Sequence, residues 1–223
     1  MGETVFTLAL TIVPSLIIIC VIVYSDRFIE PIGTVMYSFF LGVMICFPAG
    51  ILNTWLIWGH ENPDNFAFLA GFTEGPLKFL AIYLFLRKKT EFNEPMDAIV
   101  YGTVISLGFA TLENFEYVYF PTVEGSVDIA ILRAFTAIPL HASCGIVMGY
   151  FFGKYLFSGT KSYLVMSLLL PVFFHSLYNF LCTYSTAGML VLLFLLTRYC
   201  YFLHQSFVRD QQLKLVEEEQ KSV

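Results

Sequence analysis

Charge is scarce in this chain. Of its 223 residues, 13% are Asp, Glu, Lys or Arg, while 57% are hydrophobic and the mean hydropathy is +0.73. A soluble domain carries about twice that charged fraction, so a soluble globular class is excluded. The basic residues form no long patch and the net charge is −5, so no nucleic-acid partner is expected. The five cysteines (Cys20, Cys46, Cys144, Cys182, Cys200) lie in or at the ends of apolar runs and share no pairing spacing. Free thiols are expected, with no disulfide framework, zinc ribbon or redox pair. The motifs H-E-x-x-H and G-x-S-x-G do not occur, and Asp26, Asp64, Asp97, Asp128 and Asp210 all lie at run ends or in loops. A helical zinc motif of that type, a serine elbow and an aspartate dyad inside a span are therefore excluded.

What the chain does have is long apolar runs, at about 5–24, 34–58, 66–86, 97–120, 129–153, 163–183 and 187–203. A helix of about 20 apolar residues crosses a bilayer. The expected fold class is all-α: a polytopic transmembrane helix bundle of about seven spans in contact with the lipid bilayer. A single transmembrane domain is expected over 1–203, followed by a charged cytoplasmic tail at 204–223. The first run lacks a basic leader and a small-residue cleavage pattern, so it reads as a retained helix. Trp55 and Trp58 close the second run where an interfacial aromatic belt belongs. Pro139 is expected to kink the fifth, and Pro121 with the following VEGS to form a turn. No internal repeat or low-complexity segment is visible.

The loop cations assign an orientation. Arg27, then Arg87, Lys88 and Lys89, then Lys154 and Lys161, then Arg209, Lys214 and Lys221 all fall on one set of alternate flanks, while loops 59–65, 121–128 and 184–186 hold none. The positive-inside rule then puts the N-terminus outside and the C-terminus inside.

Against this background the polar residues inside spans stand out, because a bare charge in hydrocarbon is expensive and usually serves a site. Glu74 and Lys78 share one helical face at i,i+4. Glu113, His141 and His175 occupy three other spans. At 1.5 Å per residue, Glu74, Glu113 and His175 lie roughly 12, 10 and 12 Å from the outer end of their spans, and His141 roughly 18 Å. Groups sharing a level in the outer half of the membrane are expected to converge on one water-accessible site. Gly75 and Pro76 follow Glu74, so the helix is expected to be interrupted there, as at a cavity. Lys78 would hold the local charge. Asn179, at i,i+4 from His175, is placed to orient its ring or to stabilise an oxyanion. Arg133 lies near the outer interface, where it can snorkel as a structural residue or serve as an anion clamp. Gly145, Gly149 and Gly153 form a small-residue stripe for close helix approach.

Two Glu and two His can hold a divalent, zinc-like ion with a position left open for water; Glu113, His141 and His175 are the candidate ligands. They can equally form a metal-free site in which Glu74 and a His polarise water. Both routes hydrolyse an acyl bond.

These residues resemble the motifs of the PrsW intramembrane proteases, relatives of the type II CAAX prenyl endopeptidases. In TEGPLK, Glu74 and Lys78 match the first Glu and the Lys of the family's E-E-x-x-K. Phe109 and Glu113 match F-x-x-x-E, His141 matches the histidine of the fifth span, and His175 with Asn179 matches H-x-x-x-D, with Asn for Asp as in the CAAX relatives. The match runs from about Phe39 to Phe180. The resemblance implies a membrane-embedded endopeptidase of the bacterial cytoplasmic membrane that cuts a membrane-anchored anti-sigma factor on its extracytoplasmic side. Glu74, Lys78, Glu113, His141, His175 and Asn179 would be the catalytic residues. One departure is Gly75, where the family has its second Glu. It keeps open a non-catalytic scaffold with a CAAX-protease-like fold, such as the scaffold subunit of gamma-secretase. A transporter or proton pathway is a third class, disfavoured because no inverted repeat is visible.

Fusions at the C-terminus test the orientation. Green fluorescent protein is predicted to fluoresce there and alkaline phosphatase to stay inactive; the reverse pattern would invert the assignment.

Overall fold

The computed structural model describes residues 2–88, 90, 92–120 and 126–221, with side chains through 213. Lys89, the turn expected at 121–125 and the side chains of Lys214 and Lys221 lie outside the described residues. Every described element is helical: α1 (Gly2–Ser25), α2 (Ile32–Asn53), α3 (Ala70–Ala81), α4 (Pro95–Tyr119), α5 (Val127–Phe135), α6 (Ala137–Ser158), α7 (Lys161–Tyr184) and α8 (Thr186–Lys221). Short π-helical segments extend α2 (Thr54–Trp58) and α3 (Ile82–Leu86), and a 3-10 segment, Pro63–Leu69, leads into α3. Seven of the resulting helices are long and apolar enough to cross a membrane, the fifth being α5 and α6 taken together. The expected fold class and span count therefore hold. α8 runs without a break through 204, where the charged tail was expected to begin.

Proline acts differently at two places. Pro139 lies in the first turn of α6 and has no N–H for the carbonyl of Phe135, where α5 stops. Thr136 takes φ −124° and ψ −63°, and the helix restarts with the Leu140 amide donating to the Thr136 carbonyl at 3.1 Å. The expected kink is thus a full break, just ahead of the proline. Pro76 causes no such break: α3 is α-helical from Ala70 to Ala81, so the interruption expected beside Glu74 is not there. Pro76 deprives only the Phe72 carbonyl, close to the start of α3, where the backbone is already leaving 3-10 geometry. The irregular backbone sits at the two ends of α3 instead.

The bundle is built around α4. Every residue from Met96 to Ala110 is buried, and α4 packs most extensively against α6 and α2. A helix covered on all sides belongs at a core. Around it, several helices turn small or polar residues inward and large apolar ones outward. α1 buries Thr7, Thr11 and Ser15, each one turn apart, and leaves Phe6, Ile17 and Val21 exposed; α2 buries Ser38, Gly42, Cys46 and Ala49 and exposes Phe40, Met44, Phe47 and Ile51. Lipid is as apolar as leucine, so close backbone approach, not apolar burial, holds such helices together. Buried hydroxyls satisfy themselves within their own helix, as Thr11 does on the Thr7 carbonyl at 2.8 Å. All five cysteines are unpaired, as expected.

The small-residue stripe on α6 is the closest of these contacts. A Cβ on Gly149 would lie 2.1 Å from the Ala98 carbonyl oxygen of α4, and those on Gly145 and Gly153 would each lie 2.7 Å from a carbonyl oxygen of the same helix or the residue that starts it. Gly149→Ala is predicted to destabilise the fold by about 1–3 kcal/mol, the usual range for overpacking. Gly33→Ala, with open space around it, should be close to neutral. Equal thermal stability of the two variants in detergent would count against this packing.

Candidate active site

Four spans deliver the in-span polar residues to one place. Glu74 and Lys78 come from α3, Glu113 from α4, His141 from the first turns of α6 beyond the break at Thr136, and His175 from α7. Their mutual position follows from the helices that carry them. The Ser106 hydroxyl of α4 donates to the His141 carbonyl at 2.6 Å, tying α6 to the core helix. α3 meets α7 at Gly71 and Gly75, where any side chain would collide with α7.

The Lys78 ammonium is the hub. It donates to Glu74 Oε2 at 3.0 Å and to His141 Nδ1 at 2.9 Å, and it lies 3.8 Å from the centre of the Phe109 ring. Because Nδ1 accepts from a lysine, which has no acceptor, the ring proton of His141 is on Nε2. That nitrogen donates to Glu113 Oε2 at 3.1 Å. The same oxygen accepts from Arg133 Nη2 at 2.5 Å, and Arg133 Nε donates to Asn114 Oδ1 at 2.6 Å, with the guanidinium over the Tyr117 ring. A continuous line of charged hydrogen bonds therefore runs Glu74–Lys78–His141–Glu113–Arg133. His175 stands edge-on to His141, ring centres 5.0 Å apart, with Nδ1 3.8 Å from Glu74 Oε2.

Glu74, Lys78, His141 and His175 are each at most 4% exposed. Glu74 and Lys78 can be buried together because each charge has the other as its partner, with His141 hydrogen-bonded on both ring nitrogens. Glu113 and Arg133 are somewhat more open, at 12% and 14%. A cavity of about 240 Å³ touches all of these groups except Lys78, and its wall also includes Asn53, Tyr178 and Asn179. A second, more open groove between α2 and α4 shares Asn53, Trp58, Glu113 and Tyr117 with it.

The expected residues are placed as follows. Glu74, Lys78, Glu113, His141 and His175 meet, and Asn179 lines the same cavity. Among the described residues no hydrogen bond joins the Asn179 side chain to His175, so the ring-orienting contact expected from the i,i+4 spacing is not made. Arg133 does not snorkel; it turns into the bundle onto Glu113, because the alternative is a carboxylate without a counter-charge. One donor atom each from Glu74, His141 and His175 lie within 4.8 Å of one another, while Glu113, the carboxylate expected as a ligand, meets His141 at Nε2. Glu113 instead spends Oε2 on Arg133 and His141. Two residues went unnoticed in the sequence. Asn53 donates to Glu74 Oε1 at 3.4 Å and accepts from the Thr73 hydroxyl at 2.5 Å. An amide inside an otherwise apolar run was the available signal for Asn53; Thr73 offered none.

Gly75, the position at which the expected motif has its second Glu, is a packing contact. A Cβ there would lie 2.6 Å from Val172 Cγ2 of α7. The charged line described above is complete without a side chain at 75.

Comparison with known proteins gives the family. Residues 30–204 match a family described as PrsW family intramembrane metalloprotease. Protease PrsW of Bacillus subtilis (strain 168) is 36% identical over 162 residues, 69% of this chain and 72% of the relative. Protease PrsW of Halalkalibacterium halodurans is 35% identical over 178 residues, 77% and 81% of the two chains. That of Clostridioides difficile (strain 630) is 32% identical over 195 residues, 82% of each. No solved structure gives a significant match.

The Glu113–Arg133 pair is testable by a double-mutant cycle. Arg133→Ala and Glu113→Ala are each predicted to cost about 3–5 kcal/mol of stability, as when one partner of a buried pair is removed. The double variant should lose less than the sum, with a coupling of about 0.5–3 kcal/mol. Additive losses would mean that the pair is not formed.

Proposed function

The chain belongs to the PrsW family of intramembrane metalloproteases, and we propose that it hydrolyses a peptide bond in a membrane-anchored, anti-sigma-factor-like protein, on the extracytoplasmic side of a bacterial cytoplasmic membrane. The observation that carries this reading is the convergence of Glu74, His141 and His175 at the wall of a buried cavity. Two imidazole nitrogens and one carboxylate oxygen are the donor set of a catalytic zinc site that keeps a position open. The donors fit such an ion in chemistry and in convergence, and zinc is the proposed metal. His141 has one free ring lone pair, at Nδ1, and Lys78 occupies it here; a metal held through that atom takes the place of this hydrogen bond.

The bound metal would polarise the scissile carbonyl and acidify water. The remaining work falls to the chain's own groups. Glu113 Oε2 is held by Arg133 and His141, and Glu113 lines the cavity beside Glu74. We assign Glu113 the proton of the attacking water, to be passed on to the departing amine. Asn179, on the same wall, is placed to donate to the developing oxyanion. Lys78 keeps Glu74 oriented, and Arg133 keeps Glu113 and, through it, the Nε2 side of His141. The α2–α4 groove, which shares Asn53, Trp58, Glu113 and Tyr117 with the cavity wall, is the proposed route for an unwound segment of the substrate.

A substrate must leave helical form to expose its carbonyl, which favours a cut near the end of its span; the shallow, outer-half depth of the polar groups supports that. The glycine at 75 does not argue for a scaffold, since that position faces Val172. Activity settles the choice between enzyme and scaffold. Purified protein in liposomes should cleave a single-span substrate and carry about one metal per chain. Glu113→Gln should keep the metal and lose on the order of 10²–10⁴-fold in rate; Glu74→Gln should lose metal and activity together. Cleavage by Glu74→Gln at the wild-type rate, or wild-type protein that neither binds metal nor cleaves, would overturn the reading.

A further inference from the structure

A second group of carboxyls lies at the other end of α4. Asp26 follows α1, Glu30 precedes α2, and Asp97 is in the first turn of α4, about 24 Å along that helix from Glu113. All three are buried, and one oxygen from each lies within 4.8 Å of the others. The proposed hydrolysis uses none of them. Among the described residues, no Lys, Arg or His forms an ion pair with any of the three. Buried carboxylates without a counter-charge are expensive.

Neutral donors hold one oxygen of each carboxyl, and the carboxyls also meet one another: side-chain hydrogen bonds join Asp97 to Glu30 and Asp26 to Glu94. Asp97 Oδ2 accepts the amides of Asn93 and Glu94 at 2.7 and 2.8 Å. Asp26 Oδ1 accepts from the Phe28 amide and from Gln211 Nε2, both at 3.1 Å. Glu30 Oε2 accepts the Tyr101 hydroxyl. The other aspartate oxygens, Asp26 Oδ2 and Asp97 Oδ1, are buried and reached by no amide or hydroxyl donor. Two aspartates are thus oriented by fixed donors and each left with one oxygen that no such donor reaches, in the way outer-shell hydrogen bonds prepare ligands for a metal. Burial also raises the pKa of Asp26 and of Glu30 above the ordinary carboxylate values, since their charged forms have lost water.

We propose that Asp26, Glu30 and Asp97 form a second cation site, for a hard divalent ion of the magnesium or calcium class. The donors are all oxygen, with no imidazole or thiolate among them, which suits these ions and not zinc. The site joins the α1–α2 connection to the start of α4, and Gln211 brings α8 to the same point. A bound ion therefore clamps three separated parts of the chain at the end of the bundle remote from the cavity.

The test uses the full chain in detergent, stripped of metal, in a Glu74→Gln background that disables the site at the cavity. Terbium, an oxygen-seeking probe, should bind saturably with tyrosine-sensitised emission and be displaced by millimolar Mg²⁺ or Ca²⁺. The same ions should raise the thermal midpoint. Which of the two ions acts identifies the cation. Asp97→Asn should weaken terbium binding at least tenfold and remove the thermal shift, and Asp26→Asn serves the same purpose if the first variant does not fold. Neither terbium binding nor a thermal shift in the parent protein, or an undiminished shift in the folded variants, would overturn the proposal. Because the background already lacks Glu74, failure here leaves the proposed hydrolysis untouched.

Discussion

Everything at the cavity depends on where one ammonium group sits. Lys78 Nζ bridges a carboxylate on its own helix and an imidazole on another, at 3.0 and 2.9 Å. In a medium that solvates no charge, this sharing is what allows Glu74 to stay buried at all. It also selects the tautomer of His141, which sends a proton toward Glu113, which in turn draws Arg133 inward. Each member is held by the one before. The line crosses from α3 through α6 and α4 to α5, so the electrostatics and the packing of four helices are the same set of contacts.

That line can be precise only because the helices bring little bulk of their own to the interfaces. Gly149 and Gly145 let α6 lie backbone-to-backbone on α4, and Gly71 and Gly75 do the same for α3 on α7. Larger side chains there would push α6 off α4, or α3 off α7, and so shift the helices that carry His141 and Glu74. A glycine at 75 thus contributes to the site through spacing, where a Glu would have to displace Val172. The backbone break at Thr136 has a matching role: it frees α6 to start afresh, with His141 just inside its first turns.

Much of this was legible in the sequence. Scarce charge and apolar runs of span length indicated the helical bundle, because a polar backbone in lipid has few alternatives. The i,i+4 spacing of Glu74 and Lys78 indicated their ion pair, and the shared depth of Glu113, His141 and His175 indicated a common site. The rest was not legible, for physical reasons. Helical spacing ranks neighbours within a helix but says nothing about rotation between helices, so it could not show that Glu74 converges with both imidazoles while Glu113 meets His141 alone. Nor could it show that Arg133 turns inward, or that Asn53 reaches Glu74 from α2. Proline identity alone did not distinguish Pro139, whose lost hydrogen bond ends a helix, from Pro76, whose lost bond falls where the helix is just beginning. The buried carboxyls at 26, 30 and 97 sit at run ends, where sequence reading expects solvated charge.

The central claim is that Glu74, His141 and His175 are the ligands of one metal. X-ray absorption at the zinc edge of the metal-loaded protein tests it directly. The account predicts a first shell of nitrogen and oxygen at about 2.0–2.2 Å, without sulfur, and the outer-shell scattering of two imidazoles, falling to one in His175→Asn. A shell without imidazole scattering, or one unchanged by that substitution, would contradict it.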